Sequence, residues 1–428
     1  MKETLAQYRS VLSSRNARLV LGADALSKAG DWFMYVAMSL LVYRGGGAGA
    51  LGIFSVLRIG IPLSIGPLAG RWGNSRPPRT IMIGCDIARA LVVGVGAAAA
   101  ALGAHVTVLM AVAVVAAVFT TVFAPAERRM HRDLVRPEER AALNSTIGTT
   151  GTTVIVLAPA LAGGLAATLG IPWLLAVNAA SFLVSAALVV LLDSSLLVDV
   201  EEPGREEESA EGGKPRQGVL REVAVVLRND RFVALCLACQ TIACAVASAS
   251  LVLQVAVADR AGDATALLGW ITTAIGVGSV LGMVLGGPLA KRNRLVPGAA
   301  CAVVLSLLLG VFGTSTNAVM ALASAVAMGL SAGLPESLYW TSFQNRVPKE
   351  SSGAFFGLVE STTTAAMAFG GAAIGGLVAA FGTSTGSWIL ALPLAGLALV
   401  TVVAAVVIDR KAPAAAPVPA PEDASVTA

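Results

Sequence analysis

The sequence is short of charge. Only 13% of its 428 residues are Asp, Glu, Lys or Arg, against 56% hydrophobic; soluble chains carry about a quarter charged residues. That deficit excludes a surface that mainly faces water. Aromatic residues are also scarce, at 5%, so an aromatic-rich core is not expected. Ala, Val, Leu and Gly dominate instead, a composition suited to closely packed helices in lipid. The five cysteines (Cys85, Cys236, Cys239, Cys244, Cys301) are odd in number and sit in apolar stretches. They read as small buried hydrophobes rather than a disulfide framework. Cys236 and Cys239 form a CxxC with no second pair or nearby His, so no metal site is expected. No phosphate-binding loop or ATPase signature is present, so energy should come from an ion gradient. Gly382 to Gly386 fits GxSxG, but it falls in a short loop with no His partner, and a hydrolase is not expected. The net charge of +4 is dispersed in short runs, which does not suit nucleic-acid binding. The chain therefore reads as neither an enzyme nor a cofactor protein.

What the sequence does have is twelve apolar runs long enough to span a bilayer, since about 20 residues suffice. They cover roughly 19–43, 49–70, 80–102, 106–126, 146–168, 171–192, 232–258, 265–290, 295–314, 318–342, 353–381 and 386–408. They are numbered spans 1 to 12 below. The runs are continuous rather than alternating, which excludes a membrane β-barrel. The first is too long for a signal-peptide core and has no cleavage site after it.

The loops set an orientation. Of the 30 Lys and Arg residues, 25 fall in segments on the side of the N-terminus; only Arg44 and Arg260 lie on the other, and Lys28, Arg58 and Arg89 lie within spans. This bias places both termini in the cytoplasm, in a cell membrane (plasma or inner). The expected organisation is a cytoplasmic N-terminus over 1–18, a six-helix bundle over 19–192, a Glu- and Arg-rich linker over 193–231, a second bundle over 232–408 and a Pro/Ala-rich disordered tail over 409–428. The halves repeat: Gly66-Pro-Leu-Ala-Gly-Arg71 closes span 2, and Gly287-Pro-Leu-Ala-Lys-Arg292 closes span 8. Parallel repeats of this kind are a feature of secondary transporters.

Four stretches resemble one family. They are Gly30-Asp31-Trp32 in span 1; Gly66 to Arg79 running on to Asp86-Ile-Ala-Arg89; Phe123-Ala-Pro-Ala126 with Leu134-Val135; and Ala158-Pro159 followed by Gly163-Gly164 in span 5. Together the chain resembles the major facilitator superfamily, and most of all its enterobactin-exporter and macrolide-efflux branch. The sequence departs from the family pattern in three places, one of them the absence of the Arg of the family's span 4 motif. Gly70 stands where the signature loop usually has Asp, and Glu127 stands where many relatives have a basic residue. The resemblance implies an all-α membrane protein of twelve transmembrane helices in two six-helix pseudo-repeats. It also implies a monomeric exporter of a small molecule that uses protons as coupling ion, with spans 1, 4, 7 and 10 lining a central cavity. Pro159, Gly163 and Gly164 are similar to the antiporter motif of exporters. An importer of the same fold, or a transport-inactive sensor or scaffold, are the alternatives.

Ionisable residues inside spans are costly and are functional candidates by default. Asp24, Lys28 and Asp31 fall within about 60° of arc on one face of span 1. Asp31 and Arg58 each lie roughly 20 Å from the same edge of the membrane, so they can pair. Such a pair serves either structure or coupling. Glu336 in span 10 and Glu360 in span 11 complete the proton-coupling or cavity candidates, and Gln240 and Trp340 are further lining candidates. A water-poor setting favours the neutral form of a carboxyl, which suits proton exchange coupled to cargo. Gly66, Gly70, Arg71, Gly73, Arg76, Asp86 and Arg89 form a signature loop and cytoplasmic gate. The spacings Gly278xxxGly282xxxGly286 and Gly371xxxGly375 allow close helix approach.

Overall fold

The computed structural model describes residues 13–134, 140–193, 224–262, 264–292, 294–348 and 351–411. The expected linker and C-terminal tail lie almost wholly outside them. The described residues form helices and no strand. Spans 1 and 2 form one helical stretch, Arg15–Ser75, broken at Gly47, whose φ of 66° is a left-handed conformation that a Cβ would disfavour. Spans 3 to 9 are Pro78–Ala101, Val106–Asp133, Arg140–Leu169, Ile171–Val190, Arg231–Arg260, Ala264–Arg292 and Leu295–Gly313. Span 10 is divided into Ala318–Gly333 and Glu336–Arg346, with Pro335 between them; spans 11 and 12 are Ser352–Phe381 and Thr383–Lys411. Among the described residues eleven helices are long and apolar enough to cross a membrane, the first of them holding both spans 1 and 2. The chain is a multi-pass membrane protein.

Local chemistry explains where the helices begin and turn. The Asp230 carboxylate caps span 7 by accepting from the amides of Phe232 and Val233 at 2.9 and 3.2 Å. Asn317 caps span 10 by accepting from Met320 N at 2.9 Å. Pro78 and Pro172 occupy first-turn positions, where a missing amide costs nothing. Glycines with positive φ (Gly47, Gly103, Gly170, Gly262 and Gly382) sit in five of the six hairpins at one end of the bundle. This is the end opposite the chain termini, called the far end here; the terminus-bearing end is the near end.

Packing repeats between the halves. Span 3 packs on span 6 as span 9 packs on span 12, and span 2 meets span 11 as span 8 meets span 5. These pairs exchange when six is added to each number, as expected of a two-fold pseudo-repeat. The glycine spacings serve two different contacts. Gly278, Gly282 and Gly286 press against the span 10 backbone near Gly329, Leu330 and Leu334, inside the second half. Gly371 and Gly375 face span 2, between halves: a Cβ on Gly52 would lie 3.0 Å from Gly375 Cα and 3.2 Å from Gly371 O. Buried polar side chains bond neighbouring helices. Thr272 Oγ1 donates to Gln254 Oε1 at 2.6 Å, and Tyr339 Oη donates to Gly298 O at 3.0 Å. All five cysteines are free thiols.

Candidate functional site

Spans 1, 2, 3 and 6 bring a charged network together inside the first half. The i, i+4 spacing of Asp24 and Lys28 sets Lys28 Nζ 2.7 Å from the Asp24 carboxylate. Arg89, on span 3, is 1% exposed and ion-pairs with Asp86, which is fully buried. Its Nη1 also reaches Asp31 Oδ1 at 4.0 Å. The guanidinium lies 4.3 Å from the ring centroids of both Phe123 and Phe182, so spans 4 and 6 clamp its faces. Ser185 Oγ donates to Asp86 Oδ2 at 2.7 Å. A buried arginine shared by two carboxylates and two aromatic rings is a fixed charge, because its partners surround it.

The expected Asp31–Arg58 pair takes another form. Among the described residues, Asp31 has its ion pair with Arg89, while the Arg58 guanidinium lies 4.9 Å from the Tyr35 ring centroid. Asp31, Tyr35 and Arg58 nevertheless line the same two adjoining cavities. One, of about 210 Å³, is walled mainly by apolar groups such as Phe54, Val93, Ala113 and Phe182. The other, of about 430 Å³, extends past Lys28 and Trp32 to Gly148 and Gly151 of span 5. Arg89, expected in the gate beside the signature loop, also lines the first cavity, next to Asp31. Gly66, Gly70, Arg71 and Gly73 are helical, but what surrounds them lies outside the described residues. The Arg76 carbonyl accepts from Arg129 Nη1 at 3.3 Å, which ties span 2 to span 4.

The second half gathers its candidates separately. Glu336 and Trp340 stand one turn apart on the same helix, and Cys244 of span 7 lies within electrostatic reach of both Glu336 and Glu360. Gln240 Nε2 is 3.9 Å from Cys244 Sγ, and Trp340 stacks on Phe356 with centroids 6.3 Å apart. Among the described residues no hydrogen bond or ion pair joins this group to Asp31.

Among the described residues, close backbone approaches between the halves lie from the far end to the middle of the helices. A Cβ on Gly163 would lie 3.0 Å from both Ala266 O and Gly269 Cα, and the Pro159 carbonyl crowds Gly269 in the same way. Gly164 faces open space, so the three residues of the span 5 motif divide: Pro159 and Gly163 make the contact and Gly164 does not. Arg44 Nη2 donates to Thr265 Oγ1 at 3.0 Å, and Thr273 Oγ1 donates to Val156 O at 2.7 Å. Tyr35 Oη donates to Leu251 O at 2.9 Å across the midline. Tyr35, which makes this contact, also lines both cavities.

Sequence reasoning missed one cluster. Asp24, Glu127 and His131 offer ligand atoms that all lie within 4.8 Å of one another. Glu127 and His131 are four apart on one helix face, and that spacing was the available signal.

A helical bundle in two repeated halves, with a charged cavity between membrane spans, defines a secondary-transporter architecture. The Major Facilitator Superfamily profile matches residues 23–371, and the chain belongs to that family. It is a transporter-class protein. Solved structures with the same fold include the nucleoside transporter NupG, at TM-score 0.68 and 12% identity, covering 92% of this chain and 100% of that one. A bacterial homologue of the human lysosomal transporter Spinster, inward-facing and occupied, aligns at TM-score 0.66 and 13% identity over 93% of this chain and 97% of its own. An auto-inhibited POT family peptide transporter aligns at TM-score 0.63 and 13% identity over 94% and 98%. No curated protein matches the chain.

Proposed function

We propose that the chain is a proton-coupled exporter of a small hydrophobic or amphipathic molecule, such as a drug, antibiotic or siderophore. It works by alternating access between halves 19–192 and 232–408, as a monomer in the cell membrane with both termini in the cytoplasm. The observation that carries the reading is the pair of apolar-walled cavities sharing Asp31, Tyr35 and Arg58. Their walls suit an apolar body, and the two opposite charges suit a polar end and an exchangeable proton. Burial in such a setting makes electrostatic interactions stronger than in water. Asp31 is the principal proton-exchanging group in this reading, with Lys28, Arg58 and Arg89 setting the charge around it. Asp24 supports Lys28. Glu336 and Glu360, with Gln240 and Trp340, are the second half's contribution to cargo binding and coupling in this reading. Pro159 and Gly163 let the halves slide. The export direction and the proton rest on the likeness of Gly30-Asp31-Trp32 and the span 5 motif to efflux proteins.

The test is a susceptibility screen of cells with and without the protein, followed by uptake of the protected compound into inverted vesicles. Uptake that follows an acid-inside gradient and collapses with an uncoupler supports the reading. Uptake into right-side-out vesicles instead identifies an importer, and binding without movement identifies a sensor.

A further inference from the structure

We infer that Asp24, Glu127 and His131 form a binding site for a first-row divalent cation of the Zn²⁺ class, separate from the Asp31 cavities. Two spans build it: Asp24 comes from span 1, and Glu127 and His131 from one face of span 4, near the near end of the bundle. The donor atoms are two carboxylate oxygens and an imidazole nitrogen, a mixed oxygen and nitrogen set that suits zinc and its neighbours. All three lie within 4.8 Å of one another. A tetrahedral ion with bonds of about 2.0–2.1 Å needs donors about 3.4 Å apart, so small side-chain rotations close the site and water takes the open position.

Two further observations point to a ligand. His131 is 9% exposed, and its Nε2 has no hydrogen-bond partner among the described residues, a costly state for a buried polar atom. The locus also already holds a cation: Lys28 Nζ sits 2.7 Å from Asp24, which is 2% exposed, and the Glu127 carboxyl stands within 4.8 Å of Asp24. Lys28 can yield its place. Its side chain is 36% exposed and borders the larger cavity, on the helix turn that carries Asp31. Binding of a metal would displace the Lys28 ammonium from Asp24 toward that cavity. The cation thereby reaches the Asp31 site through one side chain.

The experiment uses the full-length protein purified in detergent with a non-histidine tag. Co²⁺ is titrated and followed by its visible ligand-field bands. The expected result is one ion per chain, at least tenfold weaker binding in both Glu127→Gln and His131→Ala, and unchanged binding in Cys236→Ser with Cys239→Ser. Absence of saturable binding overturns the site. So does binding that survives both variants, or thiolate charge-transfer bands lost with the cysteines. If the span 4 variants fail to fold, pulsed EPR of Cu²⁺ bound to the wild type and to His105→Ala decides, because the chain has only two histidines. Imidazole nitrogen coupling retained in His105→Ala supports His131 as a ligand, and its loss overturns the assignment.

Discussion

The two halves share packing but not electrostatics. In the first, Arg89 is buried with Asp86 and reaches the half-exposed Asp31, and Lys28 pairs with Asp24, all between membrane spans. In the second, Glu336, Glu360, Gln240 and Cys244 stand without a cation among the described residues; the ion pair there, Arg346 to Asp230 at 3.3 Å, lies at the near end of span 7. The duplicated fold therefore tolerates very different interiors, because the packing of small residues is common to both halves and the charges are not. The paired charges within the spans belong to one half, and the carboxylates of the other stand apart from them.

The largest effect should come from breaking the first half's network. Arg89→Ala leaves two carboxylates without their shared partner and should cost about 3–5 kcal/mol, read as a large drop in melting temperature in detergent. Glu336→Gln, which removes no ion pair, should leave that temperature nearly unchanged; equal losses would erase the contrast between halves. Next are the glycines between halves. Gly163→Leu and Gly375→Leu push a side chain into facing backbone, at a cost of about 1–3 kcal/mol to the closed seam. Transport should fall roughly five- to a hundredfold, while Gly164→Leu, facing open space, should transport normally. Asp31→Asn should then remove the dependence of transport on a pH gradient, and Glu336→Gln should only weaken it, measured as gradient-driven flux in proteoliposomes. The smallest change is Gln254→Leu, which deletes the bond to Thr272. Bonds of this kind inside membranes average about 0.6 kcal/mol, so melting should shift by no more than a few degrees.

Much of this was legible in the sequence. Span number follows from hydropathy because lipid forces every backbone group into helices, and the described helices match the apolar runs closely. The break at Gly47 and the division of span 10 at Pro335 are extensions of the same signals. The polar face of span 1 was legible from spacing alone. Partner choice was not: Asp31 and Arg58 have matching depths, yet depth along a helix does not say which way a guanidinium turns, and Arg89 competes from a third helix. Glu127 was visible only as a departure from a family pattern, and its meeting with Asp24 depends on how spans 1 and 4 cross. Gly163 and Gly164 are adjacent, so the 100° between them decides which one meets span 8.

The account rests on the halves parting at the far-end seam. A Cβ built on Gly49 lies 3.6 Å from the Ala379 Cβ, within the range of about 3.5–4.5 Å found in disulfides. In a background without the native cysteines, Gly49→Cys with Ala379→Cys should crosslink under mild oxidation. Transport should stop when the bond forms and return on reduction. A crosslinked protein that transports at the full rate would show that this seam never opens, and would contradict the account.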